Sequence, residues 1–517
     1  LAQVTSGGVL GVEGYLVRVE VDLANGLPGM SVVGLPVGAV REGRERVMAA
    51  LQNSGFAVPP KRITVNLAPA DVRKEGSAYD LPIAVGLLAA TGIVPAASLA
   101  RCCFVGELGL DGELRPVRGI LPLALRCARS VGTLVVPSAN GAEAAVVEGL
   151  EVRAADRLLD VVAHLRGEAN LARPMAEAAL AAREPAASPG PDLGDIRGQE
   201  HAKRALEVAA AGAHNLLLIG PPGAGKSMLA RRLPTILPPL SREEAVEVTA
   251  VHSVAGRIRA GQALVAVRPF RAPHHSISDA GLVGGGSPPR PGEASLAHHG
   301  VLFLDELPEF HRHALEALRQ PLEDGVVQLG RARYTVAFPA RFMLAAAMNP
   351  CPCGFHGDGT ARCICHPAQV QRYTARISGP LLDRIDVHVE VPALRSAELL
   401  GRGEGESSAA VRERVVAARE RQIARLRGRA GEFANAHMVA RDVRELCRID
   451  AAGEGLLRTA MQRLGLSARA CHRILKLART IADLEGADGI ATAHLAEAIQ
   501  YRTMDRRAEP RALRAGA

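Results

Sequence analysis

The run Gly220-Pro221-Pro222-Gly223-Ala224-Gly225-Lys226-Ser227 sets mobile glycines, a lysine and a hydroxyl at the spacing that binds nucleoside triphosphate phosphates. The apolar run Asn215-Leu216-Leu217-Leu218-Ile219 before it predicts a strand, and a helical pattern begins at Met228. A loop between a strand and a helix N-terminus turns its N–H groups toward one point, where anionic oxygens bind. Lys226 is placed to reach the β and γ phosphates and Ser227 to hold magnesium. Further on, Val301-Leu302-Phe303-Leu304-Asp305-Glu306 predicts a buried strand ending in two carboxylates. Asp305 suits the metal shell and Glu306 an attacking water. The two runs together predict binding of ATP with Mg2+, and its hydrolysis.

A second concentration of reactive groups is Cys351-Pro352-Cys353-Gly354 with Cys363-Ile364-Cys365. Four thiolates from two tight turns can enclose a tetrahedral zinc, whose closed shell would be structural; reduced thiols or a disulfide are the alternatives. His356 and His366 are substitutes should one cysteine point away. The pairs follow directly on Asn349, so a metal knot there would stiffen the loop leaving that residue. Cys102, Cys103, Cys127, Cys447 and Cys471 lie in apolar or helical contexts and read as ordinary buried thiols. Nine cysteines, an odd number, argue against a secreted disulfide framework. His274-His275 and His298-His299 invite a metal reading, but neighbouring side chains on a strand diverge, so a structural or nucleotide-proximal role is expected.

A chain of 517 residues is too long for one core, which makes the fold multidomain. Residues 1–166 mix strands and helices: Val17 to Leu23 alternates, Asn25-Gly26 breaks it, a helix pattern runs from Val37 to Asn53, and Ile63 to Leu67 reads as a strand. An Ala/Pro/Glu-rich linker covers 167–194, with Pro185, Pro189 and Pro191. Strands and helices alternate through 195–392, an α/β core interrupted by the cysteine insert 351–365, and 393–517 is Arg- and Ala-rich and almost wholly helical. Net charge +8 and a pI near 9.2 suit an anionic partner without deciding for nucleic acid. Aromatics at 3% with no Trp exclude an extended base-stacking platform. No apolar run approaches the roughly 20 residues of a membrane span, and no targeting segment opens the chain, so a cytoplasmic location is expected. Leu1 in place of Met suggests that the initiator end is missing or written differently.

Asp195-Ile196-Arg197-Gly198-Gln199-Glu200, the phosphate loop, Val301 to Glu306, Ala347-Met348-Asn349-Pro350 and Gly379-Pro380-Leu381-Leu382-Asp383-Arg384-Ile385-Asp386 together resemble AAA+ ATPases. More narrowly they resemble the magnesium-chelatase-like group and its ComM/YifB family, over almost the whole chain. The resemblance implies that Asn349 is the sensor-1 residue orienting the attacking water, with a plain Asn-Pro turn as the bland alternative. It implies that Arg384 is an arginine finger entering a neighbour's site, with an ion pair to Asp383 or Asp386 as the alternative. Within Ser467-Ala468-Arg469-Ala470, Arg469 matches the sensor-2 arginine of an all-α lid, and Arg473 one turn on could serve instead. A finger needs a homo-oligomeric ring, expected to be a hexamer. Residues 271–293 lie where relatives carry an insert in their second helix, and 325–336 alternates like a hairpin. In ring helicases of this clade such loops point into the pore. Arg331 and Arg333 are then candidate contacts to a nucleic-acid backbone, or simply solvated hairpin charges.

Residues from Val9 to Leu165 resemble the proteolytic domain of Lon protease, of the α+β ribosomal S5-like fold. The likeness is carried by Lys74-Glu75-Gly76-Ser77-Ala78-Tyr79-Asp80 and by Gly106-Glu107-Leu108 through Gly112 to Gly119. Lon needs a serine nucleophile and a lysine base. Here the serine position falls on Ala78 and the lysine position on Leu121; Ser77 is one residue off and Lys74 precedes the turn. A non-proteolytic docking or ring-assembly domain is expected. The ComM/YifB resemblance implies an ATP-driven motor on single-stranded or branched DNA, a helicase or branch-migration activity in natural transformation and recombination. The alternative is a chelatase-type or chaperone-like ATPase that remodels a protein partner.

Overall fold

In the computed structural model, residues 1–175, 191–331, 334–359, 362–393, 405–429 and 433–502 are described. The alternation expected near the N-terminus forms strand Glu13–Ala24, which buries Val17, Val19 and Val21 and exposes Arg18 and Asp22. It pairs antiparallel with Ala2–Leu10 at the centre of a seven-stranded mixed sheet. The sheet order is Gly29–Val33, Arg62–Ala68, Glu13–Ala24, Ala2–Leu10, Cys102–Phe104, Thr133–Pro137, Glu151–Ala155. Helices Ala39–Asn53, Asp80–Ala90 and Leu158–Leu165 close one core with it. Helix Ile120–Cys127 lies close against the central hairpin: a Cβ on Gly7 would meet Leu123 at 2.3 Å, and one on Gly14 would meet Pro122 O at 2.5 Å.

The expected linker starts as packed chain. Ala154 N–H donates to Ala172 O at 3.0 Å and Leu171 is buried in the N-terminal core, because the segment continues the edge of the sheet. Leu193, at its other end, is already buried in the next core. Pro185 and Pro189 lie outside the described residues.

That next core is a parallel five-stranded sheet in the order Phe270–Arg271, Val301–Leu304, Met343–Met348, Leu216–Ile219, Val387–Glu390. Leu216–Ile219, Val301–Leu304 and Met343–Met348 are buried throughout, as strands covered on both faces must be. The strand leading to Asn349 lies between the phosphate-loop strand and the strand leading to Asp305. Its register, Ile219↔Met348 and Leu304↔Ala346, brings the three carboxyl ends to one edge.

Helices Ser408–Arg425, Ala440–Leu446, Ala451–Leu464, Ala468–Leu484 and Thr492–Gln500 follow. They share one apolar cluster with helix Glu200–Gly212. The buried Arg419 fastens the two by donating to Ala211 O at 2.9 Å and Ala210 O at 2.7 Å.

One junction has no counterpart in the expectations. Helix Arg242–Val254, started by a Ser241/Glu244 capping box, inserts Ala245 and Val248 into the apolar cluster of Cys103, Leu121 and Val136 in the N-terminal sheet domain. Glu143 bridges the two, accepting from Leu121 N–H at 2.9 Å and from the Ser253 hydroxyl. Among the described residues no helix is long and apolar enough to cross a membrane.

Candidate nucleotide site and cysteine knuckle

Gly223 and Gly225 take φ of +78° and +88°, the left-handed turn that points successive N–H groups into the loop, and the space a Cβ would fill is open at both. The helix begins at Lys226, two residues before the position expected from the pattern. The buried Lys226 Nζ donates to Gly220 O at 2.7 Å, Pro221 O at 2.9 Å and Asn349 Oδ1 at 3.1 Å. Burial lowers its pKa, against the pull of Asp305 and Glu306. Ser227 Oγ donates to Asp305 Oδ2 at 2.6 Å. Lys226, Ser227, Asp305 and Asn349 therefore meet at the edge where the three strands end. The site fits its expected ligands: phosphate oxygens can replace the carbonyl partners of Lys226, and the Ser227 and Asp305 oxygens are the hard donors Mg2+ prefers.

Glu306 has φ +54°, which turns it off the strand, and its N–H donates to Asp305 Oδ1 at 3.0 Å. Its carboxylate lies 3.2 Å from His275 Nδ1. His275 is packed beside His274, ring centroids 4.1 Å apart, and edge-on to Phe310 at 6.4 Å. The contact puts His275 next to the nucleotide site, the second of the two roles its sequence suggested.

The four sulfurs of Cys351, Cys353, Cys363 and Cys365 lie within 4.8 Å of one another. Cys351 Sγ is 3.4 Å from Cys353 Sγ and 3.9 Å from Cys363 Sγ, and the latter two are 3.7 Å apart. Zinc with Zn–S bonds of about 2.3 Å holds sulfurs about 3.8 Å apart at the corners of a tetrahedron. The donor set fits zinc, and the cysteines are free of disulfides. The Phe355 backbone N–H pulls the Cys353 thiol down to about 6, while the neighbouring Cys353 and Cys351 sulfurs push Cys363 and Cys365 up. His366 caps helix Pro367–Thr374 instead of joining the cluster, and His356 Nδ1 stays 4.0 Å from Cys363 Sγ.

Arg384 and Arg469 are not at this edge. Arg384 precedes strand Val387–Glu390 and so sits at the amino end of the sheet, opposite the phosphate loop. It is 9% exposed, paired with Glu323 and donating to Pro380 O at 2.6 Å, while its buried Nε has no partner. Its counter-ion is Glu323, a residue the sequence reading did not consider, in place of Asp383 or Asp386. Arg469 is exposed on the first turn of helix Ala468–Leu484, and Arg473 on the same helix pairs with Asp386 at 3.1 Å. The hairpin forms as Val326–Arg331 and Tyr334–Pro339; Arg333 lies outside the described residues. Its second strand supports the N-terminal turn, where a Cβ on Gly11 would meet Val336 Cγ1 at 2.7 Å.

The premise that adjacent histidines diverge does not hold here. His299 takes φ +51°, so both rings turn to one side and reach Glu247 Oε2, His298 Nε2 at 3.1 Å and His299 Nε2 at 2.8 Å. Metal chemistry is disfavoured for another reason. His298 Nδ1 accepts the Arg341 N–H at 3.0 Å, and burial holds the ring neutral with its pKa near 4. Its proton must then sit on Nε2, the atom facing Glu247.

In the N-terminal domain a cleft of about 930 Å³ is lined by Ala78, Ser77, Tyr79 and Glu107, and by Pro288 and Pro289 of the parallel-sheet domain. The Ser77 hydroxyl is engaged by Glu107, Lys74 is buried with Nζ on Pro69 O, and Leu121 is fully buried. No hydroxyl–amine pair forms among these positions.

The strand order and the convergence of Lys226, Ser227, Asp305 and Asn349 define a P-loop nucleotide-binding protein of the AAA+ class. Residues 192–399 match the family described as magnesium chelatase, subunit ChlI; 19–140 match subunit ChlI of Mg-chelatase; 405–502 match the ChlI C-terminal family. The chain is 48% identical over 507 residues to competence protein ComM of Haemophilus influenzae, covering 98% of each. It is 48% identical over 508 residues to YifB of Salmonella typhimurium, again covering 98% of each. The chain belongs to the ComM/YifB family of magnesium-chelatase-like proteins. A further stretch of 150 residues is 32% identical to Lon protease 2 of Bacillus subtilis, covering 27% of each chain.

Proposed function

We propose that this chain is a Mg2+-dependent ATPase that works as a homo-hexameric ring and moves on DNA.

 The observation that carries this reading is the meeting of Lys226, Ser227, Asp305 and Asn349 at the carboxyl ends of three neighbouring strands. When bound, ATP and Mg2+ supply the phosphoanhydride to be cleaved and the positive charge that stabilises its leaving oxygens. Lys226 would exchange Gly220 O and Pro221 O for phosphate oxygens, and Ser227 and Asp305 would hold the metal. Asn349 orients the attacking water, and Glu306, once released from His275, takes its proton. Arg384 leaves Glu323 to meet the phosphates bound by a neighbouring subunit, and Arg469 reaches them from the exposed lid surface.

Support for DNA comes from the net charge of +8, from the hairpin 326–339 and from the full-length likeness to a competence protein. The motor then serves branch migration in recombination and transformation, in the cytoplasm. The Lon-like N-terminal domain acts as a docking and assembly element, since Ala78 and Leu121 stand where a protease needs serine and lysine. The four cysteines would hold a structural zinc as thiolates.

The test is ATP turnover with and without single- and double-stranded DNA, together with branch migration on a four-way junction, with Lys226→Ala as the inactive control. Stimulation by DNA supports the motor. If DNA neither binds nor raises turnover, the DNA reading falls, and remodelling of a protein partner, favoured by the three magnesium-chelatase matches, replaces it.

A further inference from the structure

We propose that the cysteine knuckle buttresses the phosphate loop, with Gly354 as the positioning residue through which zinc occupancy sets nucleotide affinity. The inference rests on the nucleotide and zinc readings above and concerns a coupling that neither of them contains.

The contact is direct. Gly354 has φ +89°, and its N–H donates to Cys351 O at 3.0 Å, closing the first thiol turn. A Cβ there would come within 2.5 Å of Pro222 Cδ and 2.7 Å of Pro222 Cγ, so the turn lies flush against the ring of the second proline in the loop. Pro222 and Gly223 are exposed, which leaves this part of the loop with little other support. A second route runs through Asn349. Cys351 is fully buried two residues after it, the buried Tyr373 phenol sits against its backbone, and its side chain accepts from Lys226. The knuckle therefore touches the loop at Pro222 and, through Asn349, at the lysine that meets the phosphates.

Four sulfurs on one ion fix the turns 351–354 and 363–365 relative to each other. Without the ion, the turns are joined by the weaker bonds of backbone N–H groups to sulfur, Ile364 to Cys353 and Cys353 to Cys365, and the chain regains conformational entropy. A loop whose support is already ordered loses less entropy on taking up phosphates. Linkage makes the effect reciprocal: the factor by which zinc tightens nucleotide binding is the factor by which nucleotide tightens zinc binding.

The experiment uses full-length, zinc-loaded protein and follows zinc transfer to a chromogenic chelator, with Mg2+ alone and with Mg2+ plus ADP. ADP is expected to slow zinc release about tenfold, and stripping zinc to weaken ADP binding by a similar factor. Pro222→Ala removes the ring atoms that face Gly354 while leaving all four thiols. It is expected to keep its zinc yet lose most of the ADP effect on release. Equal release with and without ADP, in a protein that binds both, overturns the coupling and leaves the nucleotide and zinc readings standing. Wild type that holds no zinc overturns the coupling together with the zinc reading, and failure to bind ADP overturns it together with the ATPase reading.

Discussion

Glu306 and His275 face each other at 3.2 Å, so the carboxylate proposed above to activate water is held by a ring nitrogen from the segment after strand Phe270–Arg271. If Glu306 is the base, this contact restrains it. His275→Ala is expected to raise basal ATP turnover several-fold. Adding Glu306→Gln to it should remove at least a hundredfold of that turnover, measured as steady-state phosphate release. Unchanged turnover in His275→Ala means the pair does not restrain the base.

Arg384 can act on a neighbour only by giving up Glu323. Arg384→Ala is expected to lower turnover by about a thousandfold, within the range for arginine fingers, while leaving ADP affinity nearly unchanged. Mixing Arg384→Ala subunits with Glu306→Gln subunits should restore part of the activity, because mixed interfaces pair an intact finger with an intact base. No recovery across mixing ratios argues against action between subunits.

Zinc content is a separate measurement. Wild-type protein purified without chelators should carry about one zinc per chain, and Cys353→Ser should carry far less. Similar, near-zero values in both would leave the thiols as a reduced cluster.

His388, buried in strand Val387–Glu390, has its pKa pushed down to about 3 by burial, with the charge of Arg502 adding to the effect. Its unfolded value is about 6.5. A depressed basic group contributes stability above the unfolded pKa and loses it as pH falls toward the folded one. At pH 5 the loss is about 2 kcal/mol from this residue. His298, with a pKa near 4, acts in the same direction. The melting temperature should therefore fall between pH 7 and pH 5, and His388→Leu should flatten that slope.

The nucleotide site was legible because its parts are local. Asp305, Glu306 and Asn349 sit at the ends of short apolar strands, and Lys226 and Ser227 open the helix one glycine loop after another such strand; strands of this kind announce themselves by composition. What the sequence hid depends on long-range placement. Glu323 carries no mark of its pairing with Arg384, sixty-one positions away. Helix Arg242–Val254 looks like any capped helix until its apolar face meets the N-terminal domain. For His298 and His299 the expected structural role stands while the expected divergence of the rings does not, because the left-handed φ at His299 turns both rings to Glu247. Gly354 could be read as a turn residue, but nothing in the sequence placed Pro222 against it.

The proposed motor requires that the edge formed by Lys226, Ser227, Asp305 and Asn349 hydrolyse ATP in response to DNA. The most direct measurement is steady-state ATP hydrolysis by wild type and Lys226→Ala, each with and without a four-way DNA junction. Wild type is expected to turn over ATP at a rate that rises with the junction, and Lys226→Ala to show none above background under either condition. Equal turnover in the two proteins, or wild-type turnover indifferent to DNA that it demonstrably binds, would contradict the proposed motor.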